Sequence, residues 1–158
     1  MVTVLCAAAA VLFAAGATDP RRLVFQNQPC DHFDASAWEC TFNQTYYLDD
    51  SAWRGNSNPD AVIVFIPGGE AAMHGLYDYR ILRDLAKDRG GLVLSMEHRF
   101  YGDSVPVPFP SDINTHRPDL RLLSIEQAIA DYANIISVIR EQFKCPQCPV
   151  VAGGGSCE

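Results

Sequence analysis

The sequence has no lysine or arginine ahead of its first apolar run, no apolar run of membrane-spanning length and a shortage of cations overall. Twelve Lys and Arg face nineteen Asp and Glu, for a formal net charge of −7 and a pI near 4.9. That balance excludes nucleic acid and anionic membrane as the main partner. The apolar run over residues 2–15 falls short of the roughly 20 residues that cross a bilayer, so stable membrane insertion is not expected. It ends in the small-x-small site Ala15-Gly16-Ala17, directly before polar Thr18-Asp19-Pro20. Residues 1–17 therefore read as a removed signal peptide, with the mature chain starting near Thr18. Also missing is a second cysteine pair, or a histidine at zinc-finger spacing, to accompany Cys145-Pro-Gln-Cys148. No metal and no cofactor are expected. With 48% hydrophobic and 20% charged residues, disorder is excluded, and residues 18–158 suffice for one domain with a real core.

Once Cys6 leaves with the signal, five cysteines remain: Cys30, Cys40, Cys145, Cys148 and Cys157. Such usage fits an oxidising compartment, and the odd number leaves a free thiol, an intermolecular bridge or a further partner. The short loop between Cys30 and Cys40 favours pairing those two. Cys145 and Cys148 follow a helical stretch and precede a strand, the reverse of a redox C-x-x-C, so a structural turn bridge is expected there. Asn43-Gln44-Thr45 is an N-glycosylation sequon and, if used, puts Asn43 on a solvent face.

Hydrophobic patterning predicts strands over 21–28 and 41–48, then a continuous apolar run over 61–66 of the kind found in parallel strands covered on both faces. A helix is expected over 77–88, with Ile81, Leu82, Leu85 and Ala86 on one face and Gly90-Gly91 as its stop. A second buried strand follows over 92–96, then a proline-rich surface loop over 105–118. Ser124 and Gln127 form an expected capping box for a helix presenting Ile125, Ala128, Ile129, Tyr132, Ile136, Ile139 and Phe143 down one side. A third buried strand, 149–152, ends in Gly153-Gly154-Gly155-Ser156. Alternating strands and helices predict a doubly wound, mainly parallel α/β sheet, whose functional groups gather at the strands' carboxyl ends. Gly68-Gly69-Glu70, Glu97-His98-Arg99 and Gly155-Ser156 all fall there. The last reads as a nucleophile elbow, although Glu158 stands where the Gly-x-Ser-x-Gly pattern wants glycine.

Six ordered blocks carry a resemblance over nearly all of the mature chain: Gln28-Pro29-Cys30-Asp31-His32-Phe33; Thr41-Phe42-Asn43-Gln44; Gly68-Gly69-Glu70; Glu97 through Ser104; Ser124 through Asp131; and Gly154-Gly155-Ser156. They resemble the family of lysosomal Pro-X carboxypeptidase and dipeptidyl-peptidase II. The resemblance implies an α/β-hydrolase core with a helical insertion, and cleavage of peptides next to proline or small residues by a Ser-Asp-His triad. It also implies a secretory product, lysosomal or extracellular. Ser156 becomes the nucleophile, with the backbone N–H groups of Cys157 and Gly69 as oxyanion donors. The family continues after the serine with an aromatic residue and glycines, where this chain has Cys157 and Glu158. Acid and histidine follow the serine in this fold's chain order. The sequence is thus expected to be the N-terminal portion of the core up to the elbow, inactive alone.

His98 precedes the serine, so a structural histidine bonded near Glu97 or Arg99 is expected in place of a general base. Glu70 is either an anchor for a substrate amine or a solvated carboxylate. Cys157 lacks a base in view to make it a thiol nucleophile. A reading from another class remains: a non-catalytic secreted α/β module that binds peptides or a partner. A C-x-x-C redox protein is a third.

Overall fold

The computed structural model describes residues 20–34, 39–76, 79–106 and 120–155. The signal-peptide reading, most of the proline-rich loop, Ser156 and Cys157 lie outside these residues. Among the described residues five strands form one sheet: β1 (Arg21–Pro29), β2 (Thr41–Asp49), β3 (Ile63–Pro67), β4 (Leu92–Met96) and β5 (Val150–Ala152). Their spatial order is β1-β2-β4-β3-β5. β2 runs antiparallel to both β1 and β4, while β3 is parallel to β4 and to β5, so of the described strands β2 alone is reversed.

Two α-helices among the described residues cover the sheet, α1 (Arg80–Arg89) between β3 and β4 and α2 (Ile125–Gln142) between β4 and β5. Strand alternation divides β3 between them. Ile63 and Phe65 point into a core shared with Leu92, Leu94, Met96 and α2 residues Ile135 and Ile139. Val62, Val64 and Ile66 meet Ala86 of α1 on the other face, with Leu82 and Leu85 packed against them. Burial on both faces is why this run reads as unbroken hydrophobicity in the sequence.

The differences from expectation have physical causes. α1 starts at Arg80, with Tyr79 in the N-cap position supplying no side-chain cap, and Ile81 is exposed while Leu82, Leu85 and Ala86 turn inward. In α2 the buried row is Gln127, Asp131, Ile135 and Ile139, four residues apart, together with Ala128. Ile125 and Ile129 face solvent at 74% and 59% exposure. The helix is rotated from its most apolar face because two inward polar side chains find partners under it. Ser124 caps as expected by accepting from the Gln127 N–H at 3.3 Å, but the Gln127 side chain is engaged with Asp31 and His32, so no bond closes the expected box. β5 is not the buried strand expected. Val150 and Val151 are half-buried and Ala152 is exposed, since among the described residues only β3 pairs with it.

Candidate active site

β3, β4 and β5 run parallel and end at one edge of the sheet, which brings the Gly68–Glu70 loop, the Glu97–Arg99 turn and the Gly153–Gly155 turn together. Register fixes this: Phe65 lies opposite Ala152, and Pro67 opposite Met96. The Gly68 N–H donates to the Met96 carbonyl at 2.8 Å, and the Gly153 N–H to that of Phe65 at 3.1 Å. The loops approach so closely that a Cβ on Gly68 would sit 2.6 Å from the Met96 carbonyl oxygen, so only glycine fits there. Tyr132 of α2 reaches this edge, its hydroxyl 3.4 Å from the Gly68 carbonyl oxygen and its ring 5.0 Å from Phe65.

Beneath the edge lies a buried polar assembly. Arg99 is fully buried and spends all five guanidinium N–H groups. Nε and Nη2 take both oxygens of Asp131 at 2.8 and 2.7 Å, Nη1 donates to the carbonyls of Cys30 and Leu122 at 3.0 Å, and Nη2 also reaches that of Pro29 at 3.3 Å. Asp131, equally buried, also meets His32 Nε2 at 2.8 Å and accepts from Gln44 at 3.3 Å. Gln28 donates to Gln44 and to the Asp131 carbonyl, and accepts from Asn134 at 2.7 Å. The Phe42 ring lies 5.6 Å under the guanidinium. Donors and acceptors match, which is the condition under which a buried charge pair is tolerated. At the rim, bonds from the Phe33 N–H and the Gln127 amide hold the Asp31 carboxyl below its ordinary range.

The residues singled out from the sequence fall as follows. Gly69 is buried at the edge, Glu70 is exposed, and Asn43 sits on the exposed face of β2. The approach to Ser156 is described as far as Gly155. His98 is bonded through Nδ1 to the Arg99 carbonyl at 2.8 Å and stacks edge-on to Tyr101, a structural placement. Cys30 and Cys40 are joined, with Cα atoms 5.4 Å apart. Cys145 and Cys148 correct the expected turn bridge: both are free and buried. Burial, reinforced by the neighbouring Cys148 thiol, pushes the Cys145 thiol up to about 12, which starves it of the thiolate that exchange needs. Their turn is closed by hydrogen bonds alone, Arg140 donating to the Cys148 carbonyl at 2.7 and 3.1 Å and the Cys145 N–H to the Arg140 carbonyl at 2.8 Å. Sequence reading missed Asp131 as the partner of Arg99, and Gln28 and Gln44 as the amides bonded around that aspartate, with Gln127 bonded to Asp31 and His32 beside them. Gln127 and Asp131 stand four apart on the helix, a spacing that by itself does not mark an inward face.

The strand order, the lone reversed strand and the glycine turn after β5 define the front of an α/β-hydrolase core. The chain belongs to the family of serine peptidases described as Serine carboxypeptidase S28, whose model matches residues 28–158. Human lysosomal Pro-X carboxypeptidase is 32% identical over 136 residues, covering 85% of this chain and 26% of its own length. Serine protease vicPa of Bipolaris victoriae is 31% identical over 106 residues, 65% of this chain and 18% of its own. Among solved structures, a cold-adapted esterase from an Arctic intertidal metagenomic library shares 16% identity, with a TM-score of 0.49 over 90% of this chain and 55% of that one. The chain spans about a quarter of the length of the curated relatives that head the comparison.

Proposed function

We propose that this chain is the N-terminal portion of a secretory-pathway serine exopeptidase that cleaves peptides next to proline or small residues, in the lysosome or outside the cell. The observation that carries the reading is the convergence of the Gly68–Gly69 loop and the glycine turn leading to Ser156 at one sheet edge. In this reading Ser156 attacks the peptide carbonyl and forms an acyl-enzyme. The backbone N–H groups of Cys157 and Gly69 receive the oxyanion. In this fold the acid and histidine that complete the triad come after the serine in chain order. Asn43, exposed on β2, carries a glycan in this reading.

The test is a serine-directed fluorophosphonate probe applied to the native gene product, with Ser156→Ala beside it. Labelling at Ser156, lost in the variant together with release of a residue from a proline-containing peptide, supports the reading. A Ser156→Ala product that keeps its peptidase activity overturns it. Peptide binding by the native product with neither labelling nor turnover would install the non-catalytic binding module instead.

A further inference from the structure

Glu97 lies at the carboxyl end of β4, only 2% exposed, and the mechanism above gives it no task. Its two oxygens are divided between two loops. Oε1 accepts the Met73 N–H at 2.9 Å; Oε2 accepts the Asp103 N–H at 3.1 Å and the Ser104 hydroxyl. Ser104 Oγ in turn accepts the Thr45 N–H of β2 at 2.9 Å. Met73 is the one buried residue over 70–76, and its carbonyl accepts the Tyr47 hydroxyl at 3.0 Å. The segment that leaves Gly68 and Gly69 is thus pinned to the body of the sheet at Met73, by the Glu97 carboxylate on its N–H and by Tyr47 on its carbonyl.

The turn over 98–104 is shaped around the same carboxylate. Gly102 stands at φ 54°, and a Cβ there would run into the Glu97 side chain. Phe100 holds φ 70°, a region costly to a bulky side chain and sustained only where the surroundings over-determine it. Here they do: Arg99 is bonded through every N–H, and the Phe100 N–H donates to the Ser104 carbonyl at 2.8 Å.

We propose that Glu97 is a positioning residue that sets the Gly68–Gly69 arm relative to Ser156 by clamping Met73 to the 103–104 turn. The inference rests on the proposed oxyanion role of Gly69. Donors aimed at a developing oxyanion act on the transition state, so displacing them lowers kcat and leaves KM nearly unchanged. Glu97→Gln keeps the shape but sets a donating amide against either the Met73 N–H or the Asp103 N–H and Ser104 hydroxyl together, leaving a buried donor unmatched.

In the native gene product Glu97→Gln is expected to lower kcat about 100-fold, the scale of a misplaced or lost catalytic donor, with KM within about twofold. Hydrogen exchange of the same variant should show residues 69–74 losing protection while β4 and α2 keep theirs. Unchanged kcat with unchanged exchange over 69–74 overturns the clamp, as does a global loss of protection in a variant that still folds. Should Glu97→Gln fail to fold, Ser104→Ala removes one of the three donors and must produce a smaller loss of the same pattern; no effect on either readout overturns the clamp. Exchange over 69–74 tests the clamp whether or not Ser156 is the nucleophile. Selective loss of protection without loss of kcat keeps the clamp and sinks the oxyanion role of the arm.

Discussion

Arg99, after β4, has an acceptor for each of its N–H groups, whereas the chain after β5 is held by one described strand partner and by glycines packed on Leu82 and Tyr79. Both segments end at the same sheet edge. The first is fixed by matched charge and hydrogen bonds under fully buried side chains; the second by backbone bonds beside a strand whose valines are only half covered. The difference separates two tasks. A buried, completely satisfied polar assembly specifies where β1, β2, the β4 turn and α2 sit relative to one another, while the glycine turn after β5 keeps side-chain bulk away from the approach to the proposed nucleophile. Of the blocks that carry the family resemblance, four converge on the Arg99 assembly: those containing Gln28 and His32, Phe42 and Gln44, Arg99, and Gln127 and Asp131. Much of what looks like a peptidase signature is scaffold.

The comparison breaks most decisively at Asp131. Asp131→Ala leaves the Arg99 guanidinium buried without its counter-charge, and urea unfolding should register a loss of about 3–5 kcal/mol. A loss below about 1 kcal/mol would mean that the carbonyl acceptors suffice. Next comes the choice of helix face. Ile139→Ala should cost about 2–5 kcal/mol, against about 0.5 kcal/mol or less for exposed Ile129→Ala. Equal losses would refute the rotation of α2. Ser124→Ala, which removes the cap that starts this helix, should cost about 1 kcal/mol in the same assay.

The smallest effect concerns pH. Because its folded value lies below the ordinary 3.8, Asp31 contributes stability that is complete above that value and disappears as pH falls through the lower folded value. Melting curves of the native chain and of Asp31→Asn should therefore differ above pH 3.8 and converge below it. A gap that widens on acidification would reverse the assignment.

Much of the fold was legible because β3 and β4 are covered on both faces and so print as unbroken apolar runs, and because Gly90-Gly91 and Ser124 mark helix ends at the local level. The candidate edge was legible for the same reason: parallel strands send their carboxyl ends one way. The polar assembly was not. Gln28 and Asp131 lie 103 residues apart, and nothing local tells a helix glutamine or aspartate that faces a buried arginine from one that faces water. Periodicity therefore assigned Ile125 and Ile129 to the core, and tertiary partners overrode it. The Cys145–Cys148 bridge failed in a similar way, since C-x-x-C spacing carries no information about the burial that keeps the Cys145 thiol protonated.

The disulfide between Cys30 and Cys40 has a practical consequence for anyone producing this protein. It ties together the ends of the loop that begins at Cys30, whose carbonyl, with that of Pro29, accepts Arg99. In a reducing cytosol the hook stays open, the loop regains the freedom that a cross-link of this length removes, on the order of 2–4 kcal/mol, and the guanidinium must find its acceptors on an untethered strand end. Recombinant material is therefore best directed through a bacterial periplasm or a eukaryotic secretion route, and a soluble yield that depends on that route would be the first sign that the hook helps to hold the arginine's acceptors in place.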